Sequence, residues 1–326
     1  MIKNSIDLGC RVLNYHLTKK KAPLSINLRI TNKCNFNCSY CDCIKIQRKE
    51  MTTEQIKKIV YDARKMGANK IGFTGGEPLL RKDIGELVRY CKKLGLITHI
   101  VTNGSLMKFH MDTLKKSDGV FISFDGMQKY QDKNRTKSDT LSFIKLALAN
   151  KIHVCALTTF TKHNISLDNI DYLLKTAKRM AFSVMFQPII DFDILPENID
   201  GTIFPSREQI VTAFKFIKKR KKQGYPVADS FTFLDYIIKS YPYTKRVKCY
   251  AGELYSIIDC NGDMYPCYVA INQAKPVNIL EKGFRQAFKE LHRFPCKGCH
   301  FNCHMEMNYL IDMKPDAISN LLRNHV

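Results

Sequence analysis

The 326-residue chain is 45% apolar, which suits one large α/β domain with a smaller companion. No run approaches the ~18 apolar residues that cross a bilayer, and no secretory h-region opens the sequence, so a transmembrane or disulfide-stapled secreted protein is not expected. Fifty-two Lys and Arg against 30 Asp and Glu leave a formal charge of +22, which favours anionic partners: phosphorylated substrates, acidic lipid at a membrane surface, nucleic acid or an acidic peptide.

Residues 5–20 place Ile6, Cys10, Leu13 and Leu17 on one helical face, with Lys19, Lys20 and Lys21 at its end. Residues 1–22 are therefore expected to form an amphipathic helix that packs on the core or touches a membrane surface. An apolar strand at 24–30 leads into Cys34-Asn35-Phe36-Asn37-Cys38-Ser39-Tyr40-Cys41. A helix at 52–66, capped by Thr52 or Thr53, stops at Gly67. The strand at 70–73 runs into Thr74-Gly75-Gly76-Glu77-Pro78, and a helix at 83–94 closes at Gly95. Strands at 97–102, 120–124, 153–158 and 183–188 alternate with helices at 140–150, 168–180 and 207–222. About six β–α units with polar motifs at the strands' C-terminal ends predict a partial (βα)6, TIM-like barrel over residues 23–225. Gly224 and Pro226 mark a hinge before a small second domain at 226–326.

The three cysteines spaced C-x3-C-x2-C carry the chemistry. Three thiolates on one loop can bind three irons of a [4Fe–4S] cubane, whereas such clusters normally take four Cys ligands, so a fourth iron is left open. Zinc is the competing reading, but it prefers four tetrahedral donors and the paired C-x2-C units of a zinc ribbon are missing here. Asn35, Asn37 and Ser39 suit the tight turns of a cluster loop. Thirteen cysteines on a chain expected in the cytoplasm argue for metal ligation rather than disulfides. A second group follows the hinge: Cys249, Cys260, Cys267, Cys296, Cys299 and Cys303. Its C-x2-C pair beside His300 and His304 also allows a structural zinc site. Cys10, Cys43, Cys91 and Cys155 read as single core or loop thiols.

With Tyr40 before its last cysteine, the loop resembles the signature of the radical S-adenosylmethionine (radical SAM) superfamily, and the resemblance spans roughly residues 24–305. It implies a catalytic [4Fe–4S] cluster on Cys34, Cys38 and Cys41, S-adenosylmethionine on the open iron, and reductive cleavage to a 5′-deoxyadenosyl radical. Gly75-Gly76-Glu77-Pro78 resembles the GGEP element, whose backbone and Glu approach the methionine amino group. Asn103 matches the TNG-type strand end, while Ser123 and Asp125 match an S-[LF]-DG element lining the S-adenosylmethionine or substrate side. Asp132 and Arg135 match a D-x-x-R, making Arg135 a candidate for the methionine carboxylate. The C-terminal cysteines resemble a twitch domain, the shortened form of SPASM, which implies one auxiliary [4Fe–4S] cluster on Cys249, Cys267, Cys296 and Cys299. Cys303 would replace one of these or join Cys260 in a partial second set.

The resemblance further implies a reductant such as flavodoxin or ferredoxin, and leaves two substrate classes: a peptide or protein, or a small molecule or lipid. The basic N-terminal helix before the core also resembles adenosylhopane-synthase-like enzymes that act on lipids. A reading from another class is a zinc-stabilised nucleic-acid-binding protein, which the strand-end motifs speak against.

Overall fold

The computed structural model describes residues 2–41, 43–45, 47–189, 201–242, 247–271, 273–296 and 298–324. The side chain of Ile6, on the expected apolar face, and Lys297, inside the C-x2-C pair, lie outside the described residues.

In chain order the elements are α1 (Ile2–Thr18), β1 (Ser25–Thr31), α2 (Thr53–Met66), β2 (Lys70–Gly75), α3 (Ile84–Lys93), β3 (Ile97–Thr102), α4 (Met111–Lys116), β4 (Gly119–Ser123), α5 (Gln128–Asn134), α6 (Thr140–Ala149) and β5 (Val154–Phe160). There follow α7 (Leu167–Met180), β6 (Ser183–Pro188), α8 (Arg207–Lys222), α9 (Phe231–Ser240), β7 (Tyr255–Ile258), β8 (Asp263–Tyr265), β9 (Val277–Asn278), α10 (Ile279–Lys282), α11 (Phe284–Glu290), α12 (Asn302–Ile311) and α13 (Pro315–Asn324). Local chemistry sets many of these ends. Thr52 and Gln55 form a reciprocal capping box on α2, and Gly67 closes that helix at φ 115°. Ser206 and Gln209 repeat the box on α8, while Ser166 and Ser230 cap α7 and α9.

Among the described residues one sheet runs β6-β5-β4-β3-β2-β1-β7-β8-β9. Strands β1 to β6 and β7 pair in parallel, and β8 and β9 extend the β7 edge antiparallel. This is the α/β partial barrel that the β–α alternation predicts. Strand residues divide by parity. Ile26, Leu28, Ile71, Phe73, Ile100, Ile122, Ala156 and Val184 join the main core with helical residues such as Ile56, Leu87, Leu173 and Phe214. The alternate positions Phe121, Cys155 and Met185 form a separate inner cluster with Ala228. They mark the lumen face.

The C-terminal part is woven into this architecture. Strand β7 pairs with β1, and α9 packs on α8 with Phe233, Leu234 and Ile237 in the main core. Helix α12 touches the β6 edge and, on the other side, β7. Asn302 Nδ2 donates to the Phe186 carbonyl of β6 (3.2 Å), and Tyr255 OH of β7 donates to Asn308 Oδ1 (2.9 Å). Helix α1 rests Val12 and Tyr15 on Tyr250, Leu254 and Ile311, leaving Leu13 and Leu17 exposed.

Candidate functional site

The cysteine loop leaves β1 and crosses the C-terminal ends of the strands. Its ends are fixed by polar contacts: Thr31 Oγ1 donates to Glu50 Oε1 (2.6 Å), and Arg81 donates to the carbonyls of Ile30 (3.0 Å) and Met51 (3.1 Å). Within it, Ser39 N–H donates to the Asn134 carbonyl at the end of α5 (2.9 Å), and Asn37 N–H donates to Thr136 Oγ1 (2.7 Å). Cys34, Cys38 and Cys41 are all partly exposed, with Phe36 N–H directed at Cys34 Sγ (3.4 Å). Burial pushes the Cys34 thiol up to about 11 and raises Cys38, and Cys34 feels the charges of Cys38 and Cys41. The Cys43 thiol hydrogen-bonds Cys41 and draws it down to about 6. Three soft thiols within electrostatic reach of one another, with an N–H aimed at sulfur, are a fitting donor set for an iron–sulfur cubane.

Gly75 and Gly76 are glycines for a reason that motif reading alone does not supply. A Cβ on Gly75, at φ +146°, would overlap the Thr31 carbonyl, and one on Gly76 would overlap the carbonyls of Lys33 and Asn32. The close approach is to the entry of the cysteine loop, where Gly76 N–H donates to Thr31 O (2.8 Å) and Glu77 N–H to Lys33 O (2.8 Å). Pro78 starts a short buried turn. The Glu77 carboxylate is fully buried and accepts from Leu79 N–H (3.0 Å), Thr102 Oγ1 (2.8 Å) and Asn103 N–H (2.7 Å). Its position joins the ends of β2 and β3, and burial pushes its carboxyl up to about 7. Asn103 Nδ2 reaches Asn35 Oδ1 (2.9 Å) and lies 4.0 Å from Cys34 Sγ, so this strand end touches the loop directly.

Asp125 is also fully buried and acts as a hub. Its carboxylate accepts from Arg135 Nε (2.9 Å), Asn134 Nδ2 (3.3 Å) and Thr159 N–H (3.2 Å). In this structure the Arg135 guanidinium is thus held by Asp125 and stands 5.3 Å from the centre of the Tyr40 ring. Tyr40 OH is buried without a hydrogen-bond partner among the described residues. Ser123 ends β4 on the lumen face, partly exposed, and Asp132 lies on the exposed side of α5, bonded to Gln128 (2.5 Å).

A charged group at this mouth is invisible to motif reading. Buried Arg29 of β1 donates to Asp259 (3.4 Å) and Asn32 (3.3 Å), and Arg48 pairs with the same Asp259 carboxylate. Its one faint signal is a charged residue where the strand otherwise alternates Ile26, Leu28 and Ile30 with the small polar residues Ser25, Asn27 and Thr31.

The second cysteine group separates into parts. Cys267 and Cys299 are buried, and the charges of Cys249 and Cys296 act on both. Phe301 N–H points at Cys299 Sγ (3.4 Å), two residues on, the same local geometry as Phe36 on Cys34. Burial pushes the Cys267 thiol up to about 12 and Cys299 well above its ordinary value, so ionising these two requires a compensating cation. Cys260 lies apart, fully buried beside Asp259 and Arg29. Cys303 faces the lumen cluster, 3.9 Å from Met185 Sδ. His300 stacks on Tyr241 (4.9 Å), and His304 sits against Phe301 (4.5 Å); burial pushes them down to about 4 and about 3. Among the described residues no three His, Cys, Asp or Glu side chains are gathered around a single metal position, either in this group or in the Cys34–Cys41 loop.

Residues 28–177 match the family model described as the radical SAM superfamily. The fold is shared with solved structures. SuiB of Streptococcus suis superposes with a TM-score of 0.69 at 16% identity, over 85% of this chain and 68% of SuiB. SuiB bound to the precursor peptide SuiA gives 0.67 at 16% identity, over 85% and 67%. The anSMEcpe protein with bound AdoMet and the Cp18Cys peptide gives 0.64 at 18% identity, over 82% and 80%.

Proposed function

From the match of residues 28–177 to the radical SAM model, we propose that this chain is a radical SAM enzyme that uses Cys34, Cys38 and Cys41 to hold a catalytic [4Fe–4S] cluster and modifies a peptide or protein substrate. The observation that carries the cluster assignment is the thiol trio on a loop pinned over the C-terminal ends of the parallel strands. When bound, such a cluster presents an open iron to S-adenosylmethionine and delivers the electron that cleaves it.

The chain's own groups position that chemistry. Gly75 and Gly76 fit the β2 end against the loop entry, and Glu77 ties this junction to Asn103. Asp125 and Arg135 brace Tyr40 and the Cys38 side, leaving Ser123 and the main chain at the strand ends to meet the nucleoside or the substrate. Arg29 and Arg48 share the carboxylate of Asp259, and Asp263 also acts on Arg48. Cys249, Cys267, Cys296 and Cys299 are assigned to one auxiliary [4Fe–4S] cluster, and a ferredoxin or flavodoxin to electron supply. The peptide reading draws on fold neighbours determined with peptides bound, SuiB with SuiA and anSMEcpe with Cp18Cys.

Anoxic reconstitution with iron and sulfide, then dithionite and S-adenosylmethionine, tests the reading. The expected result is a brown protein that forms 5′-deoxyadenosine and methionine. A variant with Cys34, Cys38 and Cys41 all changed to Ala should lose that product while retaining auxiliary iron. Product formation by the triple variant would overturn the assignment.

A further inference from the structure

Aromatic rings stand between the two cysteine groups. Cys249 Sγ lies 3.5 Å from Tyr255 OH, and the Tyr255 ring is 5.2 Å from that of His304. His304 packs 4.5 Å from Phe301, and both face Tyr268. The Tyr268 ring centre is 5.1 Å from that of Phe301 at an interplanar angle of 19°, and 5.9 Å from that of His304 at 27°. These are the spacings of aromatic side chains in contact. The stack meets the cysteine quartet twice more: Phe301 N–H points at Cys299 Sγ (3.4 Å), and Tyr268 follows Cys267 in the chain.

Its other end lies at the root of the cysteine loop. Tyr268 packs on Ile257 of β7, and its hydroxyl hydrogen-bonds the Thr74 side chain and feels the charge of Arg29. Thr74 and Arg29 are register partners on β2 and β1. Arg29 reaches Asn32 Oδ1 (3.3 Å), two residues before Cys34, and its charge also acts on Cys41. Two residues beyond Thr74, Gly76 N–H is bonded to the Thr31 carbonyl (2.8 Å). Tyr268 therefore neighbours both groups, Cys267 along the chain and the cysteine loop through Thr74 and Arg29. The stack is uncharged: burial pushes His304 down to about 3 and raises the Tyr268 hydroxyl, so both rings stay neutral.

We propose that the stacked rings of Tyr268, Phe301 and His304 are the path by which an electron passes from the auxiliary site to the cysteine loop. The proposal rests on the radical SAM reading and deepens it by giving side chains to the connection between its two iron–sulfur sites. No bond forms or breaks in the stack, and Tyr268 keeps its proton throughout. One electron leaves the auxiliary site and one arrives at the loop, where it breaks the sulfonium C–S bond of S-adenosylmethionine into methionine and a 5′-deoxyadenosyl radical. Without substrate, that radical takes a hydrogen atom from a C–H bond of the buffer. The π-systems in contact carry the step, so the ring of Tyr268 matters and its hydroxyl does not.

The test uses the reconstituted full chain, reduced with dithionite, freed of it by anoxic gel filtration and then mixed with S-adenosylmethionine. Freeze-quenched samples are read for 5′-deoxyadenosine by chromatography and for the auxiliary site by its EPR signal, which the variant with Cys34, Cys38 and Cys41 changed to Ala shows alone. In the parent a second 5′-deoxyadenosine per chain should follow the first as the auxiliary signal decays. Tyr268→Leu and Phe301→Leu, compared at equal iron per chain, should lose that second equivalent and keep the auxiliary signal. Tyr268→Phe keeps the ring and should match the parent. An auxiliary signal that persists in the parent, or that decays in both leucine variants as in the parent, would overturn the proposal and leave the rings a packing role. Loss of the second equivalent in Tyr268→Phe would overturn it as well, because the hydroxyl would then carry the step. Absence of any 5′-deoxyadenosine from the parent would instead sink the radical SAM reading, a result distinct from a first equivalent without a second.

Discussion

At Gly76 a side chain has nowhere to go, because the obstacle is backbone that cannot rotate away. Gly76→Ala should push the Asn32–Lys33 main chain outward, costing ~1–3 kcal/mol as overpacking does, and displace Cys34. Melting temperature and iron per chain after reconstitution check it: both should fall, while Gly95→Ala, with open space around its Cβ position, should keep parental iron. Glu306 makes a prediction of a different kind. Burial raises its carboxyl from 4.5 to about 7, opposed by Ser230 N–H and Lys221 and reinforced by Asp316, with Asp229 also nearby. The folded state therefore holds a proton that the unfolded chain has released, and stability falls as pH rises from about 4.5 to about 7. Glu306→Gln keeps an acceptor for Ser230 N–H and should flatten that decline by about 3 kcal/mol in urea titrations across the window. An undiminished slope would mean that Glu306 titrates normally.

At the scale of elements, strands and helices through residue 222 are legible because each is punctuated by its own cap or glycine, as at Thr52, Gly67 and Ser206. Helices α4 and α5 are not: Met111–Lys116 is too short to show a period and has no side-chain cap, and Gln128–Asn134 carries no apolar stripe and is held by polar tertiary bonds, Gln131 to Asp125 N–H and Thr140 among them. The same limit governs the site. Three cysteines at fixed spacing announce themselves, whereas the partners of Glu77, Arg135 and Cys303 come from other elements and leave no local pattern. The β4–α5 connection makes this testable. Arg135→Met leaves the fully buried Asp125 carboxylate without its cation, a loss of ~3–5 kcal/mol in chemical denaturation. Asp125→Asn with Arg135→Met should recover part of it, since the buried charge is removed along with its partner.

For the molecule as a whole, the decisive fact is that residues distant in sequence close the barrel. Strand β7 covers the β1 edge in parallel register from Ser25 to Leu28, and α12 reaches across to β6 through Asn302 and Cys303. Cutting the chain after residue 242 would expose the N–H and C=O groups of β1 together with the lumen faces of Arg29, Cys155 and Asp229, of which Arg29 is a buried charge. An unpaired edge beside buried charge is unstable and prone to pair with other chains. A fragment of residues 1–242 should accordingly aggregate or lack protected β1 amides in hydrogen exchange, and the full chain should lose β1 and β7 protection together on titration with urea. If the fragment instead folded with β1 protected, the C-terminal elements would be an appended unit, with β7 and α12 contributing nothing to the order of β1.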